Sequence, residues 1–134
     1  RKDMRKAAKG LQTLVPEIDV LATSPLVRAR ETADIVSRCY DDIAVMELAP
    51  LAPGGSKEDV LAWLRDQKPS ATVALVGHEP DLGILASWLL SGGTESFLSL
   101  KKGAACLIEM TEKPTPGSGR LEWLMSPATL RKRG

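Results

Sequence analysis

His78 is the only histidine in the chain, and it stands in a setting suited to chemistry. The run Thr72-Val73-Ala74-Leu75-Val76 is apolar and β-branched and reads as a strand buried on both faces. Gly77 stops it by letting the backbone turn sharply. His78 follows, and Glu79-Pro80-Asp81 opens a helix, with Pro80 near the first turn, where its missing N–H is no loss. In open α/β sheets ligands bind beyond the carboxyl ends of the strands, and helix N-termini favour anions. The plainer alternative is a hydrogen-bonded turn histidine. A second stretch decides between them.

That stretch is Thr23-Ser24-Pro25-Leu26-Val27-Arg28-Ala29-Arg30-Glu31-Thr32-Ala33, also at a strand's carboxyl end. Ser24 is placed to cap the following helix and Pro25 to fit its first turn. Arg28, one turn in, reaches back over the strand ends, and its planar fork matches two phosphoryl oxygens at once. Arg30 reads as a surface residue paired with Glu31 or Asp34.

The elements that position these residues follow from periodicity. Residues 1–14 read as a helix with Met4, Ala7, Ala8, Leu11 and Leu14 on one face and charges on the other. With no N-cap and no initiator methionine, the chain is expected to begin inside a longer sequence. Ile18-Asp19-Val20-Leu21-Ala22 is a strand, and residues 27–39 a helix facing inward with Val27, Ala29, Ala33, Ile35 and Val36. Residues 43–48 form a strand near an edge, and residues 49–55 a loop. Ser56-Lys57-Glu58-Asp59 caps a helix over residues 56–67 with Val60, Leu61, Trp63 and Leu64 as its apolar stripe. A helix over residues 81–90 is closed by Ser91-Gly92-Gly93. Strands over residues 104–110 and 120–125 form a hairpin, and residues 126–134 read as a solvated basic tail. Helices alternating with strands give an α/β class: one domain spanning residues 1–134, three-layer α/β/α, with a mainly parallel sheet and a C-terminal antiparallel hairpin.

Composition narrows the function. The net charge is +1 and aromatic residues are 4 %, which argues against a nucleic-acid or membrane partner. The longest apolar run is too short to cross a bilayer and no signal-peptide pattern opens the chain, so a cytoplasmic location is expected. Cys39 and Cys106 lack metal-ligand spacing and read as buried thiols, with a disulfide as the alternative.

Taken together, Ser-Pro-Leu-Val-Arg-Ala-Arg-Glu-Thr-Ala at residues 24–33 and Val-Gly-His-Glu-Pro-Asp-Leu at residues 76–82 resemble the histidine phosphatase superfamily, which is phosphoglycerate mutase-like. More narrowly they resemble its small SixA-type phosphohistidine phosphatase branch. Lys101-Lys102-Gly103-Ala104-Ala105 and Leu121-Glu122-Trp123-Leu124-Met125-Ser126-Pro127 are similar to that branch too, so the resemblance covers nearly all 134 residues. One departure stands out. The family's Arg-His-Gly motif, whose histidine is the nucleophile, is absent, together with the first central strand that carries it.

The resemblance implies two-step phosphoryl transfer through a covalent phosphohistidine, without cofactor or metal. Arg28 and His78 would be catalytic and, with the backbone N–H of Glu79, would bind phosphate. The implied substrate is a phosphorylated protein carrying phosphohistidine, since short loops leave the site open. The alternatives are a phosphatase of small phosphorylated metabolites and a non-catalytic phosphate-binding or interaction module. The 134 residues alone are expected to be inactive. They are also expected to leave either a gap in the sheet or another segment filling it.

Overall fold

The computed structural model describes residues 2–134. The elements run α1 (Lys2–Leu14), β1 (Val20–Thr23), α2 (Val27–Cys39), β2 (Val45–Glu47), a short 3-10 turn (Ala49–Leu51), α3 (Lys57–Arg65), β3 (Val73–Val76), α4 (Asp81–Ser91), β4 (Ala105–Glu109), β5 (Arg120–Met125) and α5 (Pro127–Arg133). Arg1, placed in the first helix by the sequence reading, lies outside the described residues.

The strands form two separate ladders. One is parallel, in the order β2-β1-β3, with Leu21 opposite Ala74 and Ala22 opposite Leu75. β2 is therefore an edge, as its weak alternation suggests. The other ladder is the antiparallel hairpin β4-β5, with an irregularity between Leu107 and Ile108. This is the mixed α/β class expected, a parallel ladder with a C-terminal antiparallel hairpin.

Strand alternation gives each face of the parallel ladder its own core. Leu21, fully buried, points to one side and packs with Ala8 of α1, Ile35 and Val36 of α2, and Tyr40 just past the end of α2. Ala22, equally buried, points to the other side and packs with Leu51, Val60 of α3, and Leu85 and Leu89 of α4. The sheet is thus the middle of three layers. Tyr40 Oη donates to Val15 O at 2.6 Å and ties the end of α2 to the end of α1.

Between β3 and β4 there is no ladder. β3 pairs only with β1 and β4 only with β5 among the described residues. A cavity of about 670 Å³ lies between them, lined by all of β3 and by residues 105–108 of β4, with side chains of α1, α2 and α4 on its walls. The sheet therefore has the gap, not the filler. It also corrects the reading of β3: its four residues are half-buried instead of buried on both faces, because the cavity lies along them.

Three further expectations change. Val27 is 72 % exposed and does not face inward, whereas Ala29, Ala33, Ile35 and Val36 do. Cys39 and Cys106 are free and half-buried. Residues 126–134 are not a solvated tail. Ser126 Oγ accepts the Thr129 N–H at 3.1 Å, Pro127 starts α5, and Leu130 is 2 % exposed because α5 packs along α1. The two helices meet at Gly10, where a Cβ would fall inside the van der Waals radius of Leu130 O.

Two outcomes follow. Gly10→Ala should destabilise the fold by about 1–3 kcal/mol, the range for overpacking a close contact, read by urea unfolding; an unchanged midpoint would place α5 elsewhere. Burial, aided by the neighbouring Cys39, pushes the Tyr40 phenol from an ordinary 10.0 up to about 12. A raised folded-state value means stability complete below pH 10 and lost as pH rises towards 12. Tyr40→Phe should remove that part of the alkaline fall, measured as unfolding free energy against pH.

Candidate active site

β1 and β3 run parallel and finish together, Thr23 opposite Val76, and the Ser24 N–H extends the ladder by one bond to Val76 O at 2.8 Å. The next residues along each strand therefore emerge side by side. Ser24 Oγ lies 2.8 Å from His78 Nε2, although 54 residues separate them in sequence. Ser24 is fully buried, and its Oγ also accepts the Leu26 N–H at 3.2 Å. One hydroxyl thus turns the chain into α2 and fixes the plane of the imidazole. When Nε2 carries no proton the hydroxyl donates to it; when Nε2 is protonated, in the Nε2–H tautomer or in the charged ring, Nε2 donates to the hydroxyl.

This differs from the role expected of Ser24. The first helical residue is Val27, the residue in the cap position is Leu26, and no side chain caps the helix. Pro25 lies ahead of the first turn, not in it. Nothing local in Ser24-Pro25 signals a histidine partner; the only clue is that both residues end strands of one parallel sheet.

Arg28, in the first turn of α2, is exposed, and it lines the same 670 Å³ cavity as His78. The structure thus brings the two onto one cavity, at the carboxyl ends of β1 and β3. Lys101 and Lys102 line it as well, on the stretch leading to β4. Arg30 points away and pairs with Glu47 on β2 instead of Glu31 or Asp34. That partner, 17 residues on, is set by the β1–β2 pairing and not by helix spacing.

Glu79, expected to offer its backbone N–H to phosphate, has its side chain engaged elsewhere. Its carboxylate accepts the Gly83 N–H at 2.7 Å through Oε1 and the Leu100 N–H at 2.9 Å through Oε2. The first bond supplies an N-terminal N–H of α4 with a partner. The second straps the irregular stretch over residues 92–104 onto the helix. Gly83 permits this approach, since a Cβ there would strike Leu98 O. The side chain is committed to holding the stretch that carries Lys101 and Lys102. That stretch also shows that not every loop around the site is short.

Asp81 makes the corresponding tie on the opposite side of α4. Its Oδ2 accepts the Gly54 N–H at 2.9 Å and holds the 49–55 loop. A second cavity, of about 200 Å³, lies there, bordered by Leu51, Ser56, Lys57, Asp81 and Ile84, and His78 borders it too. Lys57 spans this side, 5.0 Å above the Trp88 ring.

Comparison with known proteins places this geometry. Phosphohistidine phosphatase SixA of Escherichia coli strain K12 is 28 % identical over 132 residues, 96 % of this chain and 79 % of that protein. The structure of the protein histidine phosphatase SixA complexed with tungstate superposes with a TM-score of 0.79 and 28 % identity, covering 95 % of this chain and 80 % of that one. The chain is homologous to the SixA phosphohistidine phosphatases. A phosphoglycerate mutase of Plasmodium falciparum shares the fold at a TM-score of 0.59 and 21 % identity, over 66 % of this chain and 60 % of that one. An uncharacterized protein of Picosynechococcus is 42 % identical over 104 residues, 71 % of this chain; the chain spans 59 % of that protein's length. No family model matches the chain.

The strap makes a measurable claim. Glu79→Ala should raise hydrogen exchange at the Leu100 amide by about tenfold or more, the effect of losing a bond to a charged acceptor. Amides of β1 should be unaffected; unchanged protection at Leu100 would show that the 92–104 stretch is held by other contacts.

Proposed function

We propose that the chain is the phosphate-binding body of a phosphohistidine phosphatase acting on phosphorylated protein. The observation that carries this reading is the meeting of Arg28 and His78 on one cavity beside the open edges of β3 and β4. Homology to SixA-type proteins supports it.

In this reading Arg28 takes two phosphoryl oxygens through its fork. His78, its ring held by Ser24, presents a donor to a third, and the Glu79 backbone N–H adds another. Charge on those oxygens is what the transition state must have stabilised, and fixed donors do that without rearrangement. Lys101 and Lys102 draw the anion in. The chain's one histidine is bonded to Ser24 in this binding role. The attacking histidine is therefore assigned to a strand from outside these 134 residues, seated between β3 and β4. Its carboxyl end would emerge next to Ser24 and His78. Phosphorus passes from the substrate to this histidine and then to water, with no metal required. The 134 residues by themselves bind phosphate without turning over.

The test is an assay of the protein with that strand present, against a phosphohistidine peptide and against sugar phosphates. Phosphate release from the peptide is expected, falling by about 100-fold or more in Arg28→Ala and His78→Ala, the scale for losing one preorganised donor. Release from sugar phosphates alone would assign the site to small metabolites. Full activity in both variants would remove the two residues from the mechanism. A non-histidine at the nucleophile position would leave a binding module.

A further inference from the structure

His78 borders two cavities, and the proposed phosphatase reading uses only one of them. The larger runs between β3 and β4, the side from which a nucleophile would approach. The smaller, of about 200 Å³, opens on the 49–58 side of α4. Phosphoryl transfer holds the entering and leaving atoms roughly in line through phosphorus. If the entering atom comes from the larger cavity and the phosphoryl group rests against His78, the leaving group lies towards the smaller one.

The walls of the smaller cavity suit a ring with one polar edge. Leu51, Ile84 and Leu85 are apolar, and Pro50 closes one side. Asp81 supplies a carboxylate. Its Oδ2 is taken by the Gly54 N–H, and Oδ1 has no hydrogen-bond partner among the described residues. The Gly54 bond fixes the carboxylate, so an acceptor is held in place at the cavity wall. The cationic group of Lys57 is occupied elsewhere, bonded to Glu58 at 3.1 Å and stacked on Trp88, so it does not neutralise Asp81.

We propose that this cavity is the leaving-group subsite, that it takes the imidazole of the substrate phosphohistidine, and that Asp81 Oδ1 accepts the N–H of the ring nitrogen distal to phosphorus. The proposal rests on the phosphatase reading above and names the part of the substrate that reading leaves unplaced. The step balances. The P–N bond breaks and its electron pair stays on the ring nitrogen that carried phosphorus. The proton on the distal nitrogen, held by Asp81, remains there, and the ring departs as neutral imidazole. Phosphorus forms its new bond to the attacking imidazole nitrogen. One ring nitrogen replaces another of like basicity, so no separate acid has to protonate the leaving atom. A carboxylate that keeps the distal nitrogen protonated is sufficient. Glu79, whose two oxygens already serve two backbone N–H groups, does not meet that need.

The experiment is an NMR titration of the protein with the inserted strand present and its attacking histidine replaced by asparagine, with inorganic phosphate and, separately, with free phosphohistidine. Both probes should shift His78. Only phosphohistidine should shift the amides of residues 55–58 and Ile84. Asp81→Asn, which keeps an acceptor for Gly54, should lower the affinity for phosphohistidine relative to phosphate by about tenfold, as expected for losing one charged acceptor. Identical footprints for the two probes, or an unchanged affinity ratio in the variant, would overturn the subsite and leave the phosphatase reading standing. If neither probe moves His78, the phosphatase reading falls and the subsite falls with it. Should the variant not fold, the two footprints on the protein with Asp81 intact decide by themselves.

Discussion

The parallel pairing of β1 with β3 is the constraint from which the site follows. Parallel strands that finish in register deliver their next residues to the same point in space. Here those residues are Ser24 and His78, and a 2.8 Å contact between them locks the arrangement. The strands are held in register by packing on both sides. Leu21 and Ala22 are fully buried in opposite cores, so a slip of one residue would exchange the leucine and alanine between faces. The position of a candidate catalytic imidazole is thus set by two apolar side chains that never touch it.

The first turn of α4 then extends that order outwards. Glu79 and Asp81 lie on either side of Pro80, and each carboxylate accepts a backbone N–H from a different distant loop, at Leu100 and at Gly54. Acidic residues at a helix start are favoured by the unpaired N–H groups and by the dipole. The same two carboxylates here also act as moorings. One holds the stretch bearing Lys101 and Lys102; the other holds the wall of the smaller cavity. The geometry gives the Glu79 side chain a structural task.

Local patterns in the sequence revealed what local physics determines. The helix over Val27–Cys39, the Ser56 cap, the close of α4 at Gly92, and the β4-β5 hairpin all follow from capping and periodicity, and all are present. The superposition on SixA agrees with the family resemblance carried by the two short motifs. What was not legible depends on distant contacts. The Arg30 partner, the Ser24–His78 bond and the two loop moorings join residues 17 to 54 positions apart. The α5 helix was missed for another reason. Arg131-Lys132-Arg133 reads as solvated, yet Ser126-Pro127 is a cap followed by a helix-start proline, and Leu130 supplies the one apolar anchor α1 needs. There the signal was present and a charge run outweighed it.

The gap between β3 and β4 bears on both stability and function. Along the cavity the backbone N–H and C=O groups of β3 and β4 have no ladder partner among the described residues, the situation of an unpaired sheet edge. Each edge alone would be an ordinary sheet edge, but here two open edges border one cavity, with apolar side chains on its other walls. An extended segment entering between them would satisfy both ladders at once and bury its side chains on both faces. A helix or a loop would leave at least one ladder open. The same geometry therefore favours a strand over other occupants.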